Sequence, residues 1–178
     1  MNKNAGIVLV VAGFVVVIAL LLWIKFTTPR IAYVRSGKVV EGYFGMKESR
    51  KQFENKVVEW QSNIDTLKSN FQKNLNTYNH EMAKLSGSEK KRRESLLEME
   101  QGKVEQYQQA IEKKAEEEEK KMLQGSLNQI NSYIENYASA QGFDMVFGVT
   151  LSGNILYGKE SIDITEEVLN GMNKSYKK

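Results

Sequence analysis

Proline occurs once in this chain, at Pro29, and cysteine is absent. Because proline breaks a helix in its interior, the proline-free stretch from Arg30 onward permits helices of any length. Without cysteine the chain has no disulfide, no thiolate metal ligand, no thiol nucleophile and no lipid-attachment cysteine. The sequence therefore favours a fold built from long, uninterrupted helices.

Two segments of this stretch carry the apolar spacing of long amphipathic helices. From about Gly45 to Leu85 the apolar residues recur mostly at alternating spacings of four and three, the a/d pattern of a coiled coil. Ser86-Gly87-Ser88 breaks the pattern, and a weaker one continues from Glu89 to about Gln141, before Gly142. We expect an antiparallel helical hairpin over 45–141 with its tip near 86–88. The apolar positions are Phe53, Val57, Trp60, Ile64, Leu67, Phe71, Tyr78, Met82 and Leu85 in the first arm, and Leu97, Val104, Tyr107, Ile111, Ala115, Met122, Leu127, Ile130, Ile134 and Tyr137 in the second.

Three positions interrupt these stripes. Asn74 falls at a core position of the first arm, where it is interpreted either as a register-setting residue or as ordinary imperfection. Gly102 and Gly125 lie inside the second arm, and each costs about 1 kcal/mol relative to alanine. They are interpreted either as places where the arm bends or as passively tolerated residues.

Short β-rich segments flank the predicted hairpin. Ile31 to Val34 is predicted to be a strand, and 143–149 and 155–157 are predicted to pair as a β-hairpin around a turn at 152–154. Asp163 and Glu166 have capping-box spacing at the start of a short closing helix. The predicted fold class is α+β, mainly α, with a small β body formed by 31–44 and 142–178.

An apolar run near the N-terminus predicts a membrane anchor. Every residue of 7–24 is apolar or glycine, and at about 1.5 Å per residue this run is roughly 27 Å long. It is longer than the apolar region of a secretory signal and ends at Trp23 without a small-residue cleavage site. We therefore expect an N-terminal tail (1–6), a transmembrane helix (7–24) and a junction (25–30).

The order of these parts resembles the Skp/OmpH family of periplasmic chaperones over about residues 30–176. The closest local matches are Ile31 to Gly37, Ala140 to Val146 and Asp163 to Leu169. The resemblance implies a homotrimer whose strands form a shared body and whose helical hairpins, or tentacles, enclose a cavity for unfolded outer-membrane proteins. It implies an ATP-independent holdase.

The resemblance also bears on location. It implies that the body lies in the periplasm, so we predict a single-pass protein of the bacterial inner membrane with a periplasmic body. The charges flanking the apolar run oppose this orientation, because the positive-inside rule would place the body in the cytoplasm. Those charges are Lys25, Arg30, Arg35 and Lys38.

Two groups of residues are candidate binding surfaces. Alternating apolar residues of the body are a candidate oligomer interface, or else pack the local sheet; they are Ile31, Tyr33, Phe143, Met145 and Phe147. A basic cluster near the tip is a candidate site for anionic lipid headgroups or acidic partners, or else a solvated helix face; it comprises Lys84, Lys90, Lys91, Arg92 and Arg93.

Catalysis, cofactor binding and nucleic-acid binding are not expected. Acidic and basic residues nearly balance, giving a formal net charge of +3, and no aromatic residues interleave with the basic cluster. The single histidine, His80, has no nearby histidine or cysteine, and no catalytic or phosphate-binding motif is present.

Two other functions remain open at this point. One is a structural coiled-coil spacer, similar in outline to the stator b-subunits of rotary ATPases. The other is a dedicated subunit of a cell-envelope membrane complex. A spacer would account for the long arms but not for the strands and the closing helix.

Overall fold

The computed structural model describes residues 3–150, 153 and 155–177. They form two compact units, the base unit (1–40 with 130–178) and the hairpin unit (41–129). In chain order the elements are α1 (Lys3–Thr27), β1 (Ile31–Arg35), α2 (Ser36–Gly42), α3 (Phe44–Glu81), a 3-10 turn (Met82–Lys84), α4 (Gly87–Gln141), β2 (Met145–Val149), a 3-10 turn (Glu160–Ile162) and α5 (Thr165–Tyr176).

The predicted long helical hairpin is confirmed. Its arms are α3, with 38 residues, and α4, with 55 residues that continue without a break through Gly102 and Gly125. At the tip Ser86 and Glu89 form a capping box, since the Glu89 N–H donates to Ser86 Oγ (3.4 Å) and the Ser86 N–H donates to Glu89 Oε2 (3.3 Å). These bonds satisfy backbone donors that the first turn of α4 would otherwise leave unpaired.

Burial in the hairpin unit follows the predicted stripe except at Val57, Met82 and Leu127, which are 39%, 45% and 39% exposed. Trp60 and Ile64 of α3 are buried, and Lys114 Nζ lies 5.2 Å from the centre of the Trp60 ring. The prediction for Leu127 is wrong, because its side chain is 39% exposed while Ser126 is buried. Ser126 lies one helical turn after Met122, whereas Leu127 is rotated a further 100° or so away from that face.

The base unit contains a two-stranded parallel sheet, so the predicted β-hairpin is wrong. β1 pairs with β2 in a register that aligns Ile31 with Met145 and Tyr33 with Phe147. The segment 155–157 forms no strand, and residues 152 and 154 of the predicted turn lie outside the described residues. The long helical connection between β1 and β2 permits parallel pairing, which a tight turn cannot do.

Gly142 directs the chain from α4 into β2. It adopts a φ of 70°, the Gly142 N–H donates to Ser139 O (3.2 Å) and the Phe143 N–H donates to Ala138 O (2.9 Å). This is a Schellman motif, which confirms the predicted helix stop. The Asp144 N–H then donates to Arg30 O (2.9 Å), so β2 begins beside the start of β1 and runs in the same direction.

The remaining base-unit core lies around α2, β1 and α5. Val39 and Val168 are fully buried, and Met172 is nearly so. The predicted cap needs a small correction: α5 begins at Thr165, and Asp163 Oδ1 accepts the Thr165 N–H (3.0 Å) from two residues away. Asp163 also forms a single parallel bridge with Tyr33, on the side of β1 opposite β2.

The prediction of a transmembrane helix at 7–24 is contradicted. This run lies within α1, but no helix in the described part of the chain is long and apolar enough to cross a membrane. The membrane-anchored part of the predicted fold and the predicted single-pass location in the inner membrane are therefore wrong.

Candidate binding surfaces

A network of polar groups joins β1 to the start of α5. Arg35 Nε lies 3.0 Å from Asp163 Oδ2, the Arg35 N–H donates to Thr165 Oγ1 (2.9 Å), and the Thr165 hydroxyl donates to Asp163. Burial alone would raise the pKa of Asp163, but the two hydrogen bonds from Thr165 and the charge of Arg35 outweigh it and hold that pKa below its ordinary value. The network fixes α5 on the sheet and engages both carboxylate oxygens of Asp163.

Three of the five predicted interface residues form an exposed apolar surface on the sheet. Ile31, Met145 and Phe147 are 41%, 51% and 41% exposed. Because side chains alternate between the faces of a strand, the aligned pairs Ile31–Met145 and Tyr33–Phe147 share one face. We call Ile31, Met145 and Phe147 the sheet patch.

The other two predicted interface residues pack within the base unit. Tyr33 is only 6% exposed, and its hydroxyl donates to Gly158 O (3.4 Å). Phe143 is half-buried, with the Arg30 guanidinium 4.9 Å from the centre of its ring. For these two side chains the structure agrees with the alternative of local packing, while an interface role for the set stays a prediction.

Beside the sheet patch lies an open groove of about 450 Å³. Ile134 and Ala138 of α4, with Phe143 and Val146, supply its apolar lining, and Glu135 lies among them. Within the described residues β2 has β1 on one side and no strand on the other. An edge strand next to an apolar groove is a place where a further chain segment can pair and pack.

The basic cluster follows the tip of the hairpin. Arg93 Nη1 pairs with Glu81 Oε2 at 2.6 Å, across the two arms. In the described part of the chain, Lys90, Lys91 and Arg92 form no ion pair, and Lys84 forms none either. The structure therefore brings the predicted cluster together at one end of the hairpin unit, with one of its cations neutralised.

Polar pairs cross the seam of the hairpin at intervals along its length, and sequence reasoning missed all but Asn74. From the base end to the tip, ascending positions of Tyr43 and α3 meet descending positions of α4. The pairs are Tyr43–Gln129 (2.9 Å), Lys56–Glu118 (2.7 Å), Asn74–Glu100 (2.9 Å), Tyr78–Glu94 (2.5 Å) and Glu81–Arg93 (2.6 Å). Heptad spacing identifies the apolar seam but not which polar neighbours reach across it.

Two of these pairs shift the pKa of a group. The hydrogen bond and positive charge from Lys56 lower the pKa of Glu118, and the hydrogen bond to Glu94 raises the pKa of Tyr78. Among the described residues no group of three or more His, Cys, Asp or Glu side chains could hold a metal ion. These polar side chains bond to one another between the two arms.

Sequence reasoning also missed Arg30, which it named only as a flanking charge. Its guanidinium donates to Gln141 O (2.6 Å), and its backbone N–H donates to Asp144 Oδ2 (2.6 Å). Arg30 thus ties the end of α4 to the start of β1. The sequence did indicate that residues 140–146 matter, because they match the family locally. It did not indicate that this segment contacts Arg30.

A two-helix hairpin with a small parallel sheet and a closing helix defines a class of proteins that present long helical arms. The sequence matches the family described as outer membrane protein (OmpH-like) over residues 30–172, and the chain belongs to this family. The predicted recognition is therefore confirmed.

A solved structure has the same fold. The crystal structure at 2.83 Å resolution of an OmpH-like candidate outer membrane chaperone from Caulobacter crescentus CB15 superposes with a TM-score of 0.74 at 13% identity. The match covers 84% of this chain and 86% of the Caulobacter chain. No curated protein matches the chain.

Proposed function

We propose that this protein is an ATP-independent holdase chaperone whose clients are unfolded outer-membrane proteins. The observation that carries the proposal is its membership of the OmpH-like family across 30–172. The shared fold with the Caulobacter candidate outer membrane chaperone supports it. In this role the protein acts by binding and catalyses no reaction, and its site of action is the periplasm.

Exposed apolar side chains of the hairpin unit suit weak and repeated binding. Val58, Leu96 and Met99 are 69%, 45% and 52% exposed, and charged residues surround them. Many shallow contacts give avidity, while each one breaks easily and permits release without ATP. Such scattered apolar groups fit clients of many sequences better than a single deep pocket would.

The sheet patch and the side of β2 that pairs with no strand among the described residues support association of copies, and the resemblance to the Skp/OmpH family is the reason for proposing three. An apolar surface at a sheet edge gains stability when a second copy pairs with it or packs on it. Joining the base units of three copies would place three hairpins in one assembly and multiply the weak contacts available to a client. We propose that clients are held in the cavity among these hairpins.

The proposal is tested by suppression of aggregation. An unfolded outer-membrane β-barrel is diluted from denaturant, and light scattering is followed with and without the protein, in the absence of nucleotide. We expect suppression by the full chain. Removal of an equal, whole number of heptads from each arm, symmetrically about Gly87, should weaken it because contacts are lost while the register of the remaining arms is kept.

Circular dichroism and oligomeric mass serve as controls that the shortened protein is folded and assembled. Unchanged suppression by a folded variant that lacks most of both arms would refute the cavity mechanism. Absence of suppression by the full chain would refute the holdase proposal. Tight binding to one envelope protein at fixed stoichiometry, without suppression, would favour a dedicated subunit.

A further inference from the structure

A crevice of about 230 Å³ opens between the two arms near the tip of the hairpin. Asn74 and Tyr78 of α3 line one side. Arg92, Leu96 and Leu97 of α4 line the other. The crevice lies wholly within the hairpin unit, and its lining combines an aromatic ring, two leucines, the guanidinium groups of Arg92 and Arg93 and the carboxylate of Glu100.

The crevice exists because polar groups replace apolar packing at this level of the seam. The Asn74 side-chain amide donates to both carboxylate oxygens of Glu100, at 2.9 and 3.0 Å, and the Tyr78 hydroxyl donates to Glu94 Oε1 at 2.5 Å. These polar groups satisfy one another. Leu96 is left 45% exposed, with no large apolar side chain from α3 at the stripe position that Asn74 occupies.

Arg92 supplies an available positive charge at this crevice. Its neighbour Arg93 is paired with Glu81, whereas Arg92 makes no hydrogen bond or ion pair within the described part of the chain. Lys90 and Lys91 add further unpaired positive charge in the same turn. The Tyr78 ring and the two leucines are complementary to an aromatic group, and the Arg92 guanidinium, whose charge otherwise acts on Glu89, is complementary to a carboxylate beside that group.

We propose that this crevice binds an aromatic side chain of an unfolded polypeptide, with an adjacent carboxylate of that polypeptide paired to Arg92. The inference rests on the proposed holdase function. It specifies which chemical groups of a client one of the contact sites recognises. Inside the crevice the ring packs on Leu96, Leu97 and Tyr78. The guanidinium of Arg92 attracts both the carboxylate and the face of the ring.

The size of the crevice favours an amino-acid side chain over a lipid. A cavity of about 150 Å³ is enough to hold benzene, so 230 Å³ accommodates one aromatic ring. An acyl chain of a membrane lipid has more than twice as many carbon atoms as benzene and would extend outside. The crevice therefore matches one aromatic ring in volume.

The direct test uses full-length protein and a short, soluble, dye-labelled peptide with one Phe followed by one Asp in a Gly/Ser background. Binding is measured by fluorescence anisotropy. Methyl NMR of Leu-labelled protein, assigned by the Leu96 and Leu97 substitutions, locates the contact. We expect a dissociation constant of about 0.1–1 mM, as suits one shallow contact, and shifts centred on the Leu96 and Leu97 methyl groups.

Two matched peptides test the two halves of the recognition. Replacement of Phe by Ala should abolish measurable binding, because the apolar contact is lost. Replacement of Asp by Lys should weaken binding by about tenfold, because attraction to Arg92 becomes repulsion. Equal binding of all three peptides would overturn the proposal.

Two variants with matched controls test the protein side. Leu96→Gln and Arg92→Gln should weaken binding of the Phe-Asp peptide by about five- and threefold. The controls are Leu123→Gln and Arg50→Gln, which alter an exposed leucine and an exposed arginine of the same unit outside the crevice and should leave binding unchanged. Thermal unfolding confirms that all four variants are folded.

The outcomes separate this inference from the chaperone proposal. Suppression of aggregation by the wild-type protein, with no peptide binding or with NMR shifts elsewhere, overturns the crevice site and leaves the chaperone function intact. Shifts of Leu96 caused by anionic phospholipid vesicles and not by the peptide would also overturn it, in favour of a lipid. Specific peptide binding without suppression would support the crevice and refute the holdase function.

Discussion

At the scale of single residues, Tyr33 links the parts of the base unit. Its carbonyl accepts the Ile164 N–H (3.0 Å), its hydroxyl reaches Gly158 O, and its ring lies against Gly158. The neighbouring Arg35 pairs with Asp163. Few residues thus attach α5 and the 155–164 segment to a sheet of only two strands, so we expect a single substitution here to have a large effect.

We predict that Gly158→Ala destabilises the protein by about 1–3 kcal/mol through overpacking. A Cβ at this position would lie 2.5 Å from Tyr33 Cε1, and the buried ring has little room to move. The measurement is chemical unfolding at fixed protein concentration. Gly37→Ala is the control, because a Cβ there meets nothing within 4 Å and should be neutral or stabilising. Equal stabilities of the two variants would contradict the close contact.

We predict that Asp163→Asn lowers the stability at pH 7 by about 1 kcal/mol, because Arg35 loses its charged partner. The lowered pKa of folded Asp163 means that its charge stabilises the fold above the unfolded pKa, and that this contribution is lost as pH falls through the folded value. The difference in the free energy of unfolding between the wild type and Asp163→Asn should therefore disappear below about pH 4. Unfolding curves measured from pH 7 to pH 2 test this, with Glu160→Gln as the exposed control. A stability difference that does not change with pH would contradict the stabilising role of the Asp163 charge.

At the scale of elements, the two arms of the hairpin are held in register by polar pairs between apolar layers. Lys56–Glu118 and Asn74–Glu100 are examples that lie far apart along α3. An apolar heptad seam by itself tolerates a shift of one heptad, whereas such a shift would separate every pair at once. The polar pairs therefore specify the alignment more than they add to stability.

We predict that Gly102→Ala and Gly125→Ala each stabilise the protein by about 0.5–1 kcal/mol. α4 passes through both glycines as a continuous helix, and a Cβ at either position meets nothing within 4 Å. Alanine lowers the conformational entropy of the unfolded chain without a steric cost. Thermal unfolding measures the effect. A loss of stability would mean that α4 needs the freedom of glycine, and unchanged stability with weaker suppression of aggregation would identify these sites as bends.

At the scale of the whole molecule, the exposed apolar groups of the base unit and of the hairpin unit have different proposed roles. Ile31, Met145 and Phe147 form one continuous patch beside a sheet edge, which suits a permanent interface between copies. Val58 and Met99 are separate and lie among charges, which suits transient contact with clients. The same chain thus carries both an assembly surface and a binding surface.

We predict that the wild-type protein has three times the 20.3 kDa mass of one chain, and that Phe147→Asp shifts it toward the monomer. A charge placed in the sheet patch would be buried without a partner on association. Mass photometry or light scattering at several concentrations measures this. Val58→Asp is the control, because Val58 is 69% exposed on α3 and should leave the mass unchanged. A monomeric wild type would refute the trimer.

The sequence by itself determined the helical hairpin, the first strand and the stop at Gly142. These depend on periodicities of 3.5 and 2 and on the backbone preference of one residue, all of which are local properties. The same local reasoning was wrong about the β-hairpin and about the membrane span at 7–24. An apolar or β-rich run indicates which secondary structure a segment can form. The segment with which it pairs or packs depends on the rest of the fold.

Tertiary structure alone decided the pairing of β1 with β2, the cross-arm polar pairs and the crevice at the tip. Arg30 and Asp144 are 114 positions apart in the chain, and Asn74 and Glu100 are 26 apart. Such contacts form only when the hairpin has closed, because closure brings together groups that no sequence window contains. The proposed client contact at Arg92 and Leu96 depends on that closure in the same way.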